Sequence, residues 1–547
     1  MEDDEIELIS GGDKLEEVAQ LLQGFIKKNE STFTFPSLCG NNKRVILWAA
    51  LFQHLQNKAS ASIHTLCLAA IRVLSRDKTE LENLICEKWI TTLIERAGLY
   101  DFVGINEDSM APLELPQKEI AIEALKCLCN VAFNSEVARA LCAHTSIAQG
   151  LVARLRIYKD IPFKDEIMLF DIKLLFILTA LRSDIKIKIR DELHGMEYLI
   201  CCLNELLREA SPSAEDNSAM DQDHHFFFTD NQQAIACEIL KSMFNLIIRP
   251  GPEDSDSDAD EAMYLKLMPV LTSLLYTQTT NEDKLMELRN NVANLLTSIP
   301  PPHYAYLTPE LNSGETAECV FEGKNMDALQ SLVQLLQYRL SNTTNTKNQC
   351  ENLSPILTVM NKAVRGRPAR KWLRARVLPP LRDVSRPPQH GRALRNQLCR
   401  LLTTPVSSIR DLVAEFIFIL CKEKVGRMVK YTGFGNAAGH LAQKGLLGGR
   451  AGPGRYSSSS DDSDTEEYRA AAPAIDPVVG CTRPPRPNPF EGMTDEQKEY
   501  EAMKLVNLFD KMVSEGVVMP ARVGPDGRPQ PVQHVLELRD PPNRPQS

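Results

Sequence analysis

The sequence lacks the features of a secreted or membrane-spanning protein. No stretch of about 18 apolar residues occurs, so we expect no transmembrane segment. The first residues, MEDDEIELIS, do not form a signal peptide, and the 14 cysteines include no CxxC pair. Several cysteines, such as Cys67, Cys127 and Cys421, lie inside apolar helical patterns, which predicts reduced, buried thiols. The expected location is the cytoplasm.

Catalytic and cofactor motifs are missing as well. The chain contains no GxxxxGK[ST] loop, no GxSxG and no HExxH, and the glycines at 433, 435 and 439 have the wrong spacing for a dinucleotide loop. We interpret those glycines as a helix terminus packed close to a neighbour. We therefore expect no enzyme, with no catalytic residue, metal or cofactor. The net charge of -10 argues against nucleic acid as a partner.

Aromatic residues are scarce, at 6%, whereas hydrophobic residues make up 43% of the 547 residues. This combination is typical of Leu-rich helical stacks, and the chain is too long for one compact core. Helical periodicity dominates and strand-type alternation is rare. The sequence predicts an all-α fold, an armadillo/HEAT-like α-solenoid over 1–424, closed by capping helices over 425–450.

The composition changes beyond this predicted solenoid. Residues 451–490 are acidic, serine-rich and proline-rich, and we expect a disordered regulatory linker because they carry little apolar surface to bury. Residues 491–516 predict an amphipathic tail helix, which begins with a capping box of Thr494 and Gln497. Its apolar stripe includes Leu505, Val506 and Phe509. Residues 517–547 are expected to be a disordered tail.

One pattern recurs on four of the predicted solenoid helices. It is clearest in QKEIAIEALKCLCNVAFNSEVARAL, where the apolar residues fall on one side and a narrow polar stripe on the other. The same position in each helix carries a cation, and amides, an arginine and a phenylalanine occur beside it. The candidate residues are Arg72, Arg76, Lys126, Asn130, Phe170, Lys173, Lys241 and Asn245.

Any one of these helices alone would be a solvated face. Four in the same register would line a groove with cations and amides. Such a groove suits an extended or helical peptide that carries carboxylates, since Arg offers a planar fork and Asn can both donate and accept.

The acidic linker contains candidate phosphorylation sites. Ser458, Ser459 and Ser463 each have an acidic residue three positions later, which favours an acidophilic kinase. The alternative is a solubilising acidic segment without regulation.

Long motifs of this chain resemble the synembryn family (resistance to inhibitors of cholinesterase). In order they are IRVLSRDK, EALKCLCN, FDIKLLFILTAL, KWLRARVLPPLRDV, VAEFIFILCKEK, KYTGFGNAAGHLA and NPFEGMTDEQKEYEAMKLVNLFDK. The resemblance implies an armadillo/HEAT solenoid that acts as a cytosolic chaperone for nascent G-protein α subunits (Gα). It also implies a non-receptor guanine-nucleotide exchange factor for GDP-bound, βγ-free Gα, with recruitment to the cell cortex or plasma membrane.

The resemblance also assigns roles to residues. It implies that Arg72, Arg76 and Asn130 meet the C-terminal end of Gα, with Phe170 and Lys241 further along the groove. The tail helix is implied to reach the nucleotide domain, and Ser463, with Ser457 or Ser458, to be phosphorylated. The competing interpretation is an armadillo-type scaffold or cargo adaptor without exchange activity.

Overall fold

The computed structural model of the protein describes most of the chain. The described residues are 2–11, 14–38, 42–99, 116–161, 164–210, 226–248, 258–311, 317–343, 346–447, 464–483, 490 and 492–532. The chain divides into two compact units, Met1–Tyr306 and Leu307–Ser547.

The first unit is built from helices. They are α1 (Asp3–Gly11), α2 (Leu15–Lys28), α3 (Lys43–Gln56), α4 (His64–Leu74), α5 (Leu81–Leu84), α6 (Glu87–Arg96), α7 (Lys118–Asn134), α8 (Glu136–Ala143), α9 (Ile147–Arg156), α10 (Lys164–Leu181), α11 (Ser183–Ile187), α12 (Gly195–Ala210), α13 (Asp230–Ile247), α14 (Asp258–Tyr276) and α15 (Glu282–Leu296). Short 3-10 turns lie at Pro36–Leu38, Lys58–Ile63 and Tyr158–Asp160, a π turn at Lys188–Glu192, and a further 3-10 turn at Pro301–Leu307. Two short strands, β1 (Phe227–Phe228) and β2 (Gln278–Thr279), pair in parallel.

These helices stack in two layers. One layer is a continuous row in which α4 packs on α7, α7 on α10, α10 on α13 and α13 on α15. Helices of the second layer pack behind this row: α3 contacts α4, α6 contacts α7, α12 contacts α13, and α14 contacts α15. Successive helix pairs that touch mainly their neighbours define an α-solenoid, so the predicted all-α, armadillo/HEAT-like fold is confirmed.

The α7 sequence explains this packing. Ala121, Ala124, Leu125, Leu128 and Ala132, which the periodicity assigned to the core side, are all buried. Small alanines let the neighbouring helices approach, and the larger leucines fill the space between the layers. The polar positions of α7 remain partly accessible and form the opposite face.

A buried ion pair ties the two layers together beneath α10. Arg154 of α9 donates from one guanidinium nitrogen to Asp171 of α10 at 2.7 Å and from the other to the Ala97 carbonyl at 2.8 Å. The two side chains are 1% and 5% exposed. Burial raises the pKa of Asp171 against the opposing pull of Arg154.

The second unit is also mainly helical. Its helices are α16 (Asp327–Asn342), α17 (Gln349–Ala363), α18 (Arg367–Val377), α19 (Leu394–Leu401), α20 (Ser407–Leu420), α21 (Val425–Thr432), α22 (Phe434–Gln443), α23 (Glu466–Ala471) and α24 (Asp495–Ser514). Short antiparallel strand pairs are β3 (Val320–Phe321) with β4 (Lys324–Asn325), β5 (Ile475–Asp476) with β6 (Cys481–Thr482), and β7 (Ala521–Val523) with β8 (Pro529–Pro531), and 3-10 turns lie at Thr346–Asn348 and Ala472–Ala474. Helix α20 is central, because α17, α18, α19, α21 and α22 all pack against it.

Residues 464–483, which we expected within the disordered linker 451–490, differ from that expectation. They form α23, a 3-10 turn and the β5–β6 hairpin, and they bury Tyr468 and Cys481. The segment lacks a core of its own, as its composition indicated, but it uses the neighbouring core. The buried Lys430 of α21 forms an ion pair with Asp464 and lies over the Tyr468 ring, while Thr465 donates to the Leu381 carbonyl at 2.5 Å.

The glycine cluster is the helix terminus that the sequence indicated. Gly433 precedes α22 with a φ of +76°, and a Cβ at this position would lie 2.9 Å from the Val479 carbonyl oxygen. The backbone N–H groups of Phe434 and Gly435 donate to the carbonyls of Pro477 and Val478, both at 2.9 Å. The β5–β6 hairpin therefore satisfies donors that the first turn of α22 would otherwise leave unpaired.

The C-terminal residues include both an expected and an unexpected element. The predicted tail helix is present as α24, and its capping box of Thr494 and Gln497 is confirmed. Residues 521–531, which we expected in the disordered tail, form the β7–β8 hairpin. The Gly527 carbonyl of this hairpin accepts a hydrogen bond from the Leu447 N–H at 3.1 Å. Backbone pairing therefore holds the hairpin in place although its sequence contains few apolar residues.

Two expectations from composition can be compared with the described ranges. No helix among the described residues is both long and apolar enough to cross a membrane. The cysteines within these ranges form no disulfide, and most, including Cys67, Cys127 and Cys142, are buried.

Candidate functional site

The recurring polar residues lie along the row of stacked helices in the first unit. Helices α4, α7, α10 and α13 contribute in turn, and each presents its cation at the position that the sequence pattern assigned. We call this surface the stripe. It consists of Arg72, Arg76, Glu123, Lys126, Asn130, Phe170, Lys173, Phe176, Glu238, Lys241 and Asn245.

Glu123 connects the first two helices of the stripe. Its two carboxylate oxygens accept from Arg72 Nε at 2.7 Å and from Lys126 Nζ at 2.8 Å. Burial disfavours ionisation of Glu123, but hydrogen bonds and positive charge from Lys126 and Arg72 outweigh it and hold its pKa below the usual range. The carboxylate is therefore ionised at neutral pH and fixes both cations in place.

Aromatic rings support the stripe lysines. The ammonium groups of Lys126 and Lys173 lie 5.1 and 5.3 Å from the centroid of the Phe170 ring. Lys241 lies 5.2 Å from the Phe176 centroid and pairs with Glu238 at 2.8 Å. Each lysine thus has a rigid ring that limits its motion, at distances typical of cation–π attraction.

The two stripe asparagines connect neighbouring helices. The amide nitrogen of Asn130 donates to the Arg72 carbonyl at 3.1 Å, and that of Asn245 donates to the Phe176 carbonyl at 3.3 Å. Asn134 makes an equivalent contact to the Ser75 carbonyl at 2.9 Å. We expected these amides to donate to a ligand carboxylate, whereas here they donate to the preceding helix.

Arg76 lies just beyond the C-terminal end of α4. It donates to the Glu30 carbonyl at 2.7 Å, and its guanidinium carbon lies 5.6 Å from the Phe33 ring centroid. Burial and the nearby Arg72 charge lower the pKa of Arg76, although an arginine stays protonated. Two arginines thus crowd the same end of the stripe.

The structure adds residues that the site prediction omitted. Glu123 and Glu238 neutralise cations from within the stripe, and Phe176 supports Lys241. The Glu-x-x-Lys spacing, shared by 123–126 and 238–241, was a sequence signal for the first two, because residues three apart on a helix are neighbours. No comparable signal singled out Phe176.

The cations that remain accessible give the stripe its chemistry. Arg72, Lys126 and Lys241 have side chains 25%, 31% and 35% exposed, so a ligand can still reach them. A row of partly accessible cations, spaced by aromatic rings, can hold carboxylates at fixed points and apolar side chains between them. Within the described ranges, no cluster of His, Cys, Asp and Glu side chains could hold a metal ion.

The predicted tail contacts lie on the surface of α24. Leu505 and Phe509 are 54% and 36% exposed, Val506 is half-buried, and no residue of this helix is buried. A 20-residue helix with an open apolar side is available to a partner. The predicted phosphorylation sites Ser457, Ser458 and Ser463 lie outside the described residues.

Comparison with known proteins gives a consistent result over almost the whole chain. Residues 67–528 match the Ric8 family model, described as guanine nucleotide exchange factor synembryn. The chain is 38% identical to chaperone Ric-8A of Gallus gallus, with 95% of this chain and 94% of the relative covered. It is 36% identical to chaperone Ric-8 of Drosophila pseudoobscura pseudoobscura, with 97% and 96% covered. The chain belongs to the synembryn (Ric8) family.

Proposed function

We propose that this chain is a chaperone and non-receptor guanine-nucleotide exchange factor for G-protein α subunits. The family description and the names of the relatives support the two roles. The observation that carries the proposal is the stripe itself, in which four successive helices align cations, rings and amides along one surface. A surface of this kind suits a helix that carries carboxylates better than it suits a small molecule.

The proposed ligand of the stripe is the C-terminal helix of GDP-bound, βγ-free Gα. Arg72 and Arg76 crowd one end of the stripe, where the terminal carboxylate of that helix would meet two guanidinium groups. Further along, the ligand helix would contact Phe170, Lys173, Lys241 and the side-chain amide oxygen of Asn245.

Exchange follows from capture of the helix rather than from chemistry. A Gα whose C-terminal helix is held in the groove loses the support that this helix gives to its nucleotide domain, so GDP leaves. The chain binds the nucleotide-free state better than the GDP-bound state, and GTP reverses the preference. No bond is formed or broken by the exchange factor, and the same capture would protect a newly made Gα.

The tail helix supplies a second contact in this proposal. Leu505, Val506 and Phe509 lie on the open apolar side of α24, which the second unit leaves exposed. We assign this side to the nucleotide domain of Gα.

Regulation would come from the acidic linker. An acidophilic kinase would phosphorylate Ser463, with Ser457 or Ser458, and the added negative charge would be attracted to cations of the second unit. The basic run at the start of α18 is available for this: Arg365 and Arg367 are exposed, and Lys371 pairs with Glu322 at the surface. Residues 464–483, between Ser463 and α24, already pack on the second unit, so docking would strengthen this attachment and keep α24 at a high local concentration near Gα.

The proposal is tested by GDP release from purified Gα with and without the full chain. We expect release to accelerate in proportion to the chain concentration, and to accelerate less with Arg76→Ala. Lys266→Ala is the matched control, because Lys266 pairs with Glu197 on the surface outside the stripe. An unchanged release rate with the wild-type chain would contradict the exchange role, and an effect equal for both variants would contradict the stripe as the binding surface.

A further inference from the structure

Lys173 differs from the other stripe lysines in what precedes it. Lys126 and Lys241 each follow a glutamate by three residues and pair with it, whereas the residue three before Lys173 is Phe170. An aromatic ring attracts a cation without neutralising it. Among the described residues, Lys173 forms no ion pair with a carboxylate, so its charge is not balanced within the stripe.

Glu238 is a stripe carboxylate whose charge influences the same thiol as the charge of Lys173. The charges of Lys173 and Glu238 both act on Cys129, a thiol whose pKa burial raises to about 12. Glu238 nevertheless directs its carboxylate to Lys241 at 2.8 Å. Both charges thus act on the same half-buried cysteine, and the glutamate pairs with the other lysine.

Arg76 is the second stripe cation without a carboxylate partner in the described part of the chain. It holds a backbone carbonyl and an aromatic ring instead. Arg76 follows α4 and Lys173 lies on α10, with α7 between them. Two steps between packed helices correspond to about 16–20 Å, a length that a ligand helix spans in about 11–13 residues.

We infer that Lys173 is a specificity-determining residue, which selects ligand helices bearing an acidic side chain about 11–13 residues from the carboxylate that meets Arg76. The inference rests on the proposed function and deepens it, since it states which α subunits the groove prefers. A helix with an amide or apolar residue at that position leaves Lys173 unpaired beneath the ligand, at a cost in affinity. The partner class is therefore a helical segment with two separated carboxylates.

The test is a double-mutant cycle by titration calorimetry. The probe is a peptide of the last about 20 residues of Gα, long enough to span both cations. Each acidic residue in it is changed in turn to its amide. These peptides are titrated into the full-length wild-type chain, Lys173→Met and the charge-conserving Lys173→Arg. Lys266→Met, outside the stripe, is the matched control.

We expect one acidic position to couple to Lys173. Its amide should bind the wild-type chain about fivefold more weakly, and Lys173→Arg likewise, but Lys173→Met should bind both peptides alike. Equal losses for every peptide would overturn the selectivity while leaving groove binding in place. So would an acidic peptide that bound Lys173→Met as tightly as it binds the wild-type chain. If the wild-type chain bound none of the peptides, the groove proposal would fall and this inference with it.

Discussion

Replacing Glu123 with glutamine should strengthen the binding of an anionic helix to the stripe. Glu123 is the internal anion that Arg72 and Lys126 share, at 2.7 and 2.8 Å. A ligand carboxylate that approaches Arg72 must come near this negative charge. Glutamine has nearly the same shape and keeps an acceptor oxygen, so the change removes charge with little change in packing.

The magnitude follows from the distances and the exposure. Two carboxylates about 6 Å apart repel by about 3 kcal/mol at an effective dielectric constant near 20. The side chains of Arg72 and Lys126 are 25% and 31% exposed, so water and salt reduce this repulsion. We expect a net gain in binding of about 1 kcal/mol, or about fivefold in affinity.

The same substitution should destabilise the first unit. Glutamine keeps one of the two contacts as a neutral hydrogen bond, so the loss at a carboxylate that is 14% exposed costs about 1.5–3 kcal/mol. Because the folded-state pKa of Glu123 is lowered, its stabilising effect is present above the pKa of the unfolded chain and is lost as pH falls through the folded pKa. The difference in stability between wild type and Glu123→Gln should thus be constant near neutral pH, begin to fall as pH approaches the ordinary pKa of a glutamate, and vanish only below the lowered folded-state pKa.

Titration calorimetry with the Gα C-terminal peptide measures the gain, and hydrogen exchange of α7 amides measures the loss. Glu197→Gln is the matched control, because Glu197 pairs with Lys266 outside the stripe and should change neither quantity. Weaker peptide binding by Glu123→Gln would refute the reasoning. It would mean that Glu123 matters by positioning the two cations rather than by competing for them.

Three further predictions concern the second unit. Leu505→Asp with Phe509→Asp places charge on the open apolar side of α24, so GDP release should slow while binding of the C-terminal peptide persists. Lys504→Asp, on the other side of the helix, is the control. A loss of peptide binding in the double variant would argue against separate contacts. Phosphorylation at Ser463 should speed GDP release, and the increase in rate should shrink as the salt concentration rises. Release rates of the phosphorylated chain and of Ser463→Ala, measured at low and high ionic strength, check this. A salt-independent effect would exclude electrostatic docking. Gly433→Ala forces a Cβ to within 2.9 Å of the Val479 carbonyl at a φ of +76°, so residues 475–483 should lose hydrogen-exchange protection. Gly439→Ala, with open space around it, is the control and should keep this protection. Equal protection in both variants would contradict the close packing.

The fold was predictable because helical periodicity is strong throughout the solenoid. The core positions of α7 follow directly from the spacing of its alanines and leucines, and they are buried as expected. The stripe cations follow from the same spacing, since a face opposite the core must carry the polar residues. Periodicity also located the tail helix and its cap.

The partners of the stripe residues were harder to predict from sequence. Asn130 and Asn245 point back to the preceding helix, and that depends on how closely the helices approach, which no single helix pattern contains. The ordered segment 464–483 has a similar explanation. Its composition shows that it cannot form a core alone, but not that Lys430 and the start of α22 offer it buried partners.

The measurement that tests the central claim most directly is the affinity of the Gα C-terminal peptide for the wild-type chain, Arg72→Ala and Arg76→Ala. Arg72 shares Glu123 with Lys126, whereas Arg76 has no carboxylate partner in the described part of the chain. Loss of one charge-assisted contact to the ligand, about 1.5–3 kcal/mol, should weaken binding about tenfold to a hundredfold without unfolding the solenoid. If both variants bound the peptide as tightly as the wild-type chain does, the stripe would not be the surface that captures the Gα helix.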